Sequence, residues 1–268
     1  MRLPTLFVSH GSPMSALRTS PVAAPWAKLA HDLPRPRAVL VASAHWETEL
    51  PMVGTAERPG TLHDFGGFPP ALERIRYPAP GAPELARSAL DLLTAAGLPA
   101  SGNGCRGLDH GTWVPLVHML PQADLPVFQV SIQTSLGASH HLRLGEALAA
   151  LASQGVLVIG SGSLTHNLSD WGRFVHEHGL QPELQPPLPY VDEFRNAIVD
   201  ALRTGDREFL ANWRERAPHA RRAHPTEEHF LPLLVAYGAA GAAPRVDRID
   251  LGVDGGAIAM DAVVFQPN

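Results

Sequence analysis

Short apolar runs that stop abruptly at glycine, serine or histidine are the feature that most constrains the fold of this chain. Four of them are four to eight residues long and are bounded by breakers, as expected for central strands of a sheet covered on both faces. They are residues 3–8, 38–43, 125–132 and 156–159. A fifth run, residues 257–265, alternates in part between apolar and polar positions and predicts one late strand.

Segments with helical spacing separate the predicted strands. Residues 83–96, 140–153 and 190–202 carry apolar side chains near the helical period, and each is closed by a glycine. A fourth helix is predicted over residues 225–237, with His229 in its second turn and a kink or break at Pro232. Strands that alternate with helices predict an α/β fold, with a central, mostly parallel sheet flanked by helices.

Nothing in the sequence divides the chain into parts. It contains no internal repeat or low-complexity tract, and α/β folds reach 268 residues undivided. Residues 181–189 include four prolines, which predict a rigid surface loop or lid rather than a domain boundary. We therefore predict a single domain over residues 1–268.

Charge and cysteine content limit the partners. The chain has 21 Lys and Arg against 26 Asp and Glu, with no basic run, so nucleic acid and anionic membrane surfaces are poor candidates. No apolar stretch reaches the ~18–20 uncharged residues that span a bilayer, and no secretory signal is recognisable at the first residues. Because Cys105 is the only cysteine, no internal disulfide can form, and we expect a cytoplasmic protein.

Fourteen histidines raise the question of a metal, because neutral imidazole is the commonest transition-metal ligand. His10 and His45 each follow an apolar strand at its carboxyl end, where ligands collect in open α/β sheets. Either histidine alone could equally cap a turn through its ring nitrogens. Both together, with Gly11 and Ala44 leaving space for a ligand, favour a metal site.

Three further histidines are candidates for the same site. His166 follows a strand and a segment of glycine and serine that lets a ligand approach closely, and a histidine beside a metal often serves as general acid or base. His229 is a candidate third ligand, although its spacing from His224 does not match the His-Glu-x-x-His zinc motif. His110 follows Asp109, which could hold it in one tautomer; a structural and a functional role stay equally open.

Two segments suit an aromatic substrate. His63 opens a loop, residues 63–69, that combines aromatic side chains with glycine. Trp46 directly follows His45; core packing is its simplest interpretation, and stacking on an aromatic ligand is the more specific one.

Eight segments resemble, in order, the class III extradiol ring-cleavage dioxygenases (the LigB-like family), in the branch of 4,5-DOPA dioxygenase extradiol. Each segment alone is weak, but eight in order across nearly the whole chain are highly specific. The segments are SHGSPM (9–14), SAHW (43–46), HDFGGFP (63–69), YPAPG (77–81), GLDHGTW (107–113), VSI (130–132), GSGSLTHNL (160–168) and HPTEEHFLPLL (224–234).

The resemblance implies one catalytic domain with a single non-haem metal. The activity it implies is opening of a catechol-type, DOPA-like ring with O2 to a semialdehyde, with Fe(II) as the catalytic ion and both oxygen atoms incorporated. The implied metal ligands are His10, His45 and His229. A three-histidine site departs from the usual triad of two histidines and a carboxylate, so Glu227 or Glu228 stays open as an extra ligand, and purified protein could carry Zn(II).

The resemblance also assigns two catalytic histidines. His166 matches the acid/base residue beside the metal, and His110 matches a histidine on the substrate side. His63, Asp109 and Trp46 are expected to contact the substrate. The expected partners are a small aromatic diol and O2, and the sequence says nothing about the oligomeric state.

Two other functions stay open from the residues. The same histidines could hold a zinc ion that activates water for hydrolysis of an amide or ester, which predicts turnover without oxygen. Alternatively, the chain could be a relative that keeps the fold as a binding module, which loss of ligand histidines would favour.

Overall fold

A computed structural model describes residues 2–179 and 184–268, and most of its strands lie in one large sheet. The strands of the described residues are β1 (Thr5–Ser9), β2 (Ala38–Glu47), β3 (Met52–Gly54), β4 (Ser101–Asn103), β5 (Val127–Ile132), β6 (Val156–Gly162), β7 (Arg245–Ile249), β8 (Val253–Asp254), β9 (Ile258–Ala259) and β10 (Ala262–Gln266). The α-helices are α1 (Ala23–Asp32), α2 (Pro70–Glu73), α3 (Pro83–Ala95), α4 (His110–Met119), α5 (Gly137–Leu148), α6 (Ala150–Ser153), α7 (Leu168–His178), α8 (Pro189–Thr204), α9 (Arg207–Ala211), α10 (Trp213–Arg216), α11 (Ala220–Ala223) and α12 (Leu231–Ala240). Short 3₁₀ helices cover Pro13–Ala16 and Thr134–Leu136.

The large sheet has eight strands in the order β4-β3-β5-β2-β6-β1-β10-β7. Its centre is parallel, because β2 pairs in parallel with both β5 and β6, and β6 pairs in parallel with β1. β10 and β7 continue the sheet in antiparallel order beyond β1. This arrangement confirms the predicted α/β class with a mostly parallel sheet flanked by helices. A separate two-stranded hairpin joins β8 and β9.

Helices cover both faces of the central strands, which is why those strands are apolar throughout. In β1, Phe7 packs into a core with side chains of α8 and α12, whereas Leu6 and Val8 point to the opposite core with α1 and α4. Every residue of β1, β5 and β6 is buried. Strands buried on both faces therefore read as continuous apolar runs rather than alternating ones.

Four predicted strands are confirmed as β1, β2, β5 and β6, but β2 extends to Glu47, so His45 lies within the strand and not after it. The prediction of a single strand over residues 257–265 is wrong. This segment forms two strands, β9 and β10, which are separated by Met260 and Asp261. Asp261 is fully buried and forms ion pairs with Arg195 and Arg248, which requires a break from the regular alternation.

The helix predicted over residues 225–237 starts too early. α12 begins at Leu231, so His229 precedes the helix instead of lying in its second turn. Pro232 lies in the first turn and causes no kink, because the first-turn N–H groups have no intrahelical partner. The predicted helix over 140–153 is interrupted at Ala149 and forms α5 and α6.

One further prediction meets the structure only in part. Residues 181–183 of the predicted proline-rich loop lie outside the described residues, while Gln185 pairs with Val253 and α8 begins at Pro189. Among the described helices, none is both long and apolar enough to cross a membrane.

Candidate active site

Five histidine rings lie together at the carboxyl end of the parallel strands. We call them the histidine cluster. They are His10, His45, His110, His166 and His229. Each of the five comes from a different segment at a strand end or a helix start, so the cluster exists only once the sheet has formed.

The strand order brings the first two histidines together. His10 directly follows β1 and His45 lies near the end of β2, and both strands pair with β6 between them. The backbone N–H of His10 donates to the Gly162 carbonyl at 3.0 Å, which fixes the residue against the end of β6. The Nε2 atoms of His10 and His45 are consequently only 3.0 Å apart.

Glycines in β6 admit the segment that carries His229. A Cβ at Gly160 would lie 2.0 Å from the Pro232 carbonyl oxygen, and one at Gly162 would lie 2.1 Å from the His229 carbonyl oxygen. The N–H of Ser163 donates to that His229 carbonyl at 2.9 Å. The sequence predicted that these glycines allow close approach, and the group that approaches is the backbone around His229.

His10, His45 and His229 form a nearly equilateral triangle of rings. The centroid distances are 4.9 Å for His10–His45, 5.0 Å for His45–His229 and 5.3 Å for His10–His229. The other two rings flank this triangle. His166 stacks on His229 with centroids 3.6 Å apart and planes 7° from parallel, and His110 lies 3.8 Å from His45.

A hydrogen-bond chain sets the tautomer of His10. The Ser161 hydroxyl donates to the Gly111 carbonyl, which can only accept, so its oxygen is left to accept from His10 Nδ1–H at 2.9 Å. The Nε2 atom of His10 therefore carries the lone pair and faces His45. Gly111 is required here, because a Cβ would lie 2.5 Å from Ser43 Oγ and 3.3 Å from His10 Nδ1.

Carboxylates orient two other rings in the same way. Nδ1 of His229 lies 3.0 Å from an oxygen of Glu228, and Nδ1 of His110 lies 3.0 Å from an oxygen of Asp64. A carboxylate accepts, so each Nδ1 carries a proton and each Nε2 is free to bind a metal or a substrate proton. Burial alone would raise the pKa of Asp64, but the hydrogen bonds from His110 outweigh it and lower the pKa to about 2.

Four rings of the cluster, those of His10, His45, His166 and His229, are held in the neutral form. Burial lowers the pKa of His45 and of His166 to about 4. Burial, together with repulsion between neighbouring imidazoles, lowers the pKa of His10 and of His229 well below the usual 6.5. Neutral imidazole is the form that binds a metal ion.

Two groups of potential ligand atoms stand out in this region. His10, His45 and His110 form one group, and His166, Glu228 and His229 form the other; the ligand atoms within each group lie within 4.8 Å of one another. Every metal ligand and catalytic histidine predicted from the sequence therefore falls in one place. Which of them bind a metal stays a prediction.

The predicted substrate residue Asp109 lies behind the cluster. It is fully buried and caps α4, and its carboxylate accepts hydrogen bonds from Ser43 at 2.7 Å and from Gln129 at 2.6 Å. Arg106 joins this carboxylate at 3.0 Å to the His45 carbonyl at 2.9 Å. These contacts support the backbone that presents His45 and His110, and a direct contact between Asp109 and substrate stays a prediction.

The other two predicted substrate residues lie beside the site. The ring of His63 is within 5.7 Å of Phe65, and its Nε2 donates to the Ile75 carbonyl at 3.0 Å. Trp46 is buried beneath the guanidinium of Arg106, 5.3 Å from its ring centroid. Substrate contact by either residue also stays a prediction.

Sequence reasoning missed the residues that orient the histidines. It offered Asp109 as the partner of His110, whereas the partner is Asp64, 46 positions earlier. It also gave no role to Ser161. Both residues stand in segments whose composition drew attention, but nothing in a sequence reports which side chain meets which ring across a sheet.

Comparison with known proteins gives a consistent result. The sequence model described as the catalytic LigB subunit of aromatic ring-opening dioxygenase matches residues 4–253. A Beta vulgaris protein named 4,5-DOPA dioxygenase extradiol is 40% identical over 265 residues, which cover 97% of this chain and 96% of that one. An Escherichia coli K12 protein of the same name is 41% identical over 243 residues, covering 89% and 85%.

A solved structure agrees at the level of the fold. The crystal structure of an uncharacterized Escherichia coli K12 protein superposes with a TM-score of 0.79 at 33% sequence identity. The match covers 98% of this chain and all of that one. Nothing in these comparisons favours a zinc hydrolase or a binding module.

Proposed function

This chain belongs to the LigB family of aromatic ring-opening dioxygenases and is an extradiol ring-cleaving dioxygenase, and we propose that it uses Fe(II) held by His10, His45 and His229. The observation that carries this assignment is the triangle of three neutral imidazoles, two of which have Nδ1 committed to a protein acceptor. We propose that the whole of residues 1–268 forms one catalytic domain.

The donor set suits a divalent transition metal. Two nitrogens that bind one ion at about 2.0–2.1 Å lie roughly 3–3.5 Å apart, and the 3.0 Å between Nε2 of His10 and Nε2 of His45 fits this range. Without an ion, the buried lone pair on Nε2 of His10 is satisfied only if His45 carries its proton on Nε2. Imidazole also binds zinc, so we expect that purified protein can hold Zn(II) in place of Fe(II).

An Fe(II) ion held by His10, His45 and His229 would supply the Lewis-acid and redox chemistry by which the catechol and O2 react. Overall, one ring carbon–carbon bond beside the diol breaks, and both atoms of O2 are retained in the semialdehyde product. All other contributions come from the protein.

His166 is the proposed general base and acid. Its pKa of about 4 keeps it neutral near pH 7, so it can accept a hydroxyl proton from the catechol and return it later. Its stacking on His229 places it beside the metal ligands without making it one of the triangle. Burial lowers the pKa of His166, and the negative charge of the nearby Glu228 offsets part of this decrease.

His110 is the proposed second catalytic histidine, on the other side of the triangle. Asp64 holds the proton on Nδ1, so Nε2 is left to accept a hydrogen bond from the substrate. The edge of Phe65 contacts the His110 ring at 5.7 Å. Phe65, with the nearby His63, thus brings an apolar wall to the place where an aromatic ring would lie.

We propose that the substrate is a catechol with a side chain like that of DOPA. The similar proteins of Beta vulgaris, Portulaca grandiflora and Escherichia coli are each named as dioxygenases of DOPA. His63, Trp46 and Asp109 are retained as proposed substrate-side residues, with Asp109 acting through the backbone it supports. The lone Cys105 suits a reducing compartment, and we propose the cytoplasm.

The test is reconstitution with Fe(II) without oxygen, followed by a panel of catechols in air-saturated buffer. Oxygen uptake and the yellow ring-opened product are followed together. We expect one O2 consumed for each catechol opened. An iron-loaded protein that consumes no oxygen with any catechol would contradict the proposal.

A further inference from the structure

A cavity of about 580 Å³ lies beside the histidine cluster. Its size falls within the ~300–1,000 Å³ typical of small-molecule sites. Most of its wall is apolar or carries neutral hydroxyl groups. The apolar part includes Met14, Leu17, Phe68, Trp171 and Met260.

One side of the cavity is lined by residues that lie close to the cluster. Ser12 and Ser15 line it and follow His10 by two and five positions. Met260 packs against Gly11, where a Cβ would lie 2.6 Å from the Met260 methyl carbon. Phe68 lines the cavity and meets Phe65 edge to face at 5.5 Å, and Phe65 in turn contacts His110.

The other side is formed by the β8–β9 hairpin and α7. The Thr165 hydroxyl donates to the Ala257 carbonyl at 2.8 Å and accepts from the Ala259 N–H at 2.9 Å, so the hairpin is tied to the residue before His166. Gly255 at the hairpin tip lies against the indole of Trp171, where a Cβ would be 2.5 Å from a ring carbon. This wall is therefore fixed relative to the catalytic residues.

Asp254 is the one ionisable side chain among the described lining residues of this cavity. Burial raises the pKa of Asp254, and the nearby indole N–H of Trp171 offsets part of the rise. No cationic group of the described residues contributes to this balance or lines the cavity. Among the described residues, the largely buried Asp254 carboxylate thus has no positive partner.

A carboxylate in that position favours a cationic ligand. Removing a charge from water is unfavourable unless an opposite charge and hydrogen bonds compensate it. An ammonium group that enters the cavity would supply both, and the adjacent Trp171 ring would add a cation–π contact.

We propose that Asp254 binds the ammonium group on the side chain of the catechol substrate. This inference rests on the proposed function. The diol end then faces the histidine cluster, and the tail extends along the cavity to the β8–β9 hairpin. Since no Lys or Arg lines the described wall, a tail carboxylate meets only hydroxyl donors such as Ser12 and Thr19. Asp254 therefore selects amino-bearing catechols over purely acidic ones.

The experiment uses two ligands that differ only in the amine: DOPA and 3-(3,4-dihydroxyphenyl)propionate. Binding to the Fe(II)-loaded protein is measured by calorimetry without oxygen, and kcat/KM is measured separately in air. The variants are Asp254→Asn, which keeps the shape, and Asp254→Glu, which keeps the charge. Asp91→Asn, on the exposed face of α3, is the matched control.

We expect wild-type protein to bind DOPA at least about tenfold more tightly than the propionate. Asp254→Asn should remove most of that preference and leave propionate binding within about twofold, while Asp254→Glu restores part of it. Asp91→Asn should change neither ligand.

Two results would overturn the inference. The first is an unchanged preference in Asp254→Asn; the second is an equal loss for both ligands, which indicates a structural role. Ring opening of the propionate by wild-type protein tests the proposed function independently, because this ligand lacks the amine. If both ligands bind with the expected preference and neither is opened, the proposed DOPA-like substrate class fails and the Asp254 ammonium site stands.

Discussion

The histidine cluster and His141 of α5 both hold buried, neutral imidazole, but their ring nitrogens have different partners. In the histidine cluster, Nε2 of His10 faces Nε2 of His45 and has no backbone partner. His141 on α5 is also fully buried, but both of its nitrogens are bonded to the backbone. Nδ1 donates to the Gly137 carbonyl at 2.7 Å, and Nε2 accepts from the Gln133 N–H at 3.1 Å.

In both regions, burial lowers the pKa of histidine side chains. Burial lowers the pKa of His141 to about 3, as it lowers the pKa values in the cluster. A depressed pKa therefore does not mark a functional histidine in this protein. What separates the regions is that His141 is satisfied by its own chain, whereas the cluster leaves lone pairs that only a metal, a proton or a substrate can satisfy.

The largest effect is expected from removing a ring of the triangle. His45→Ala should abolish stoichiometric metal binding and lower ring-opening activity by at least about a thousand-fold, because both substrates are activated at the metal. Metal content by elemental analysis and oxygen uptake measure this. His176→Ala, an exposed histidine on α7, is the control. Full metal occupancy in His45→Ala would contradict the assigned ligand set.

A smaller loss is expected at the stacked ring. His166→Ala should retain the metal but lose turnover by about 10²–10⁴-fold, the usual contribution of a positioned acid or base. Metal content and kcat should be measured on the same preparation. Loss of the metal in His166→Ala would mean that His166 is itself a metal ligand and does not merely flank the three ligand rings.

Breaking the hydrogen-bond chain behind His10 should weaken metal binding without abolishing it. Ser161→Ala removes the acceptor that fixes the His10 tautomer, and metal affinity should fall by about 10–100-fold, as for other residues that orient a ligand. Competition with a chelator of known affinity measures it. Unchanged affinity would show that His10 is oriented by the fold alone.

The smallest effect concerns stability at His141. His141→Gln should cost about 1–2 kcal/mol at pH 7 through weakened hydrogen bonds, with metal content and activity unchanged. Because the folded-state pKa is lowered from 6.5 to about 3, the folded protein binds fewer protons than the unfolded one. The contribution of His141 is therefore full above pH 6.5 and is lost progressively as the pH falls toward 3.

Denaturant unfolding at several pH values tests this sign. The difference in unfolding free energy between wild type and His141→Gln should shrink between pH 7 and pH 5. A difference that grows over this interval would mean that His141 is protonated in the folded protein.

Residue patterns were sufficient to predict the central strands and to single out the five histidines of the cluster. An apolar run such as β1, β5 or β6 must be covered on both faces. Each run could therefore be predicted as a central strand without knowing which strands lie beside it. The helix that follows His229 could not be bounded in the same way, since Pro225 and Pro232 both fit a first helical turn. Packing of the 229–232 backbone against Gly160 and Gly162 selects the later start.

By itself, the sequence determined which residues could do chemistry, because strand ends and their histidines are local features. Tertiary structure alone decided how those residues are paired. Asp64 meets His110, and Ser161 meets His10, across 46 and 151 positions of chain. Such contacts depend on strand order and on the close approach of α12 to β6, and no local pattern encodes the distance between residues that the sheet brings together.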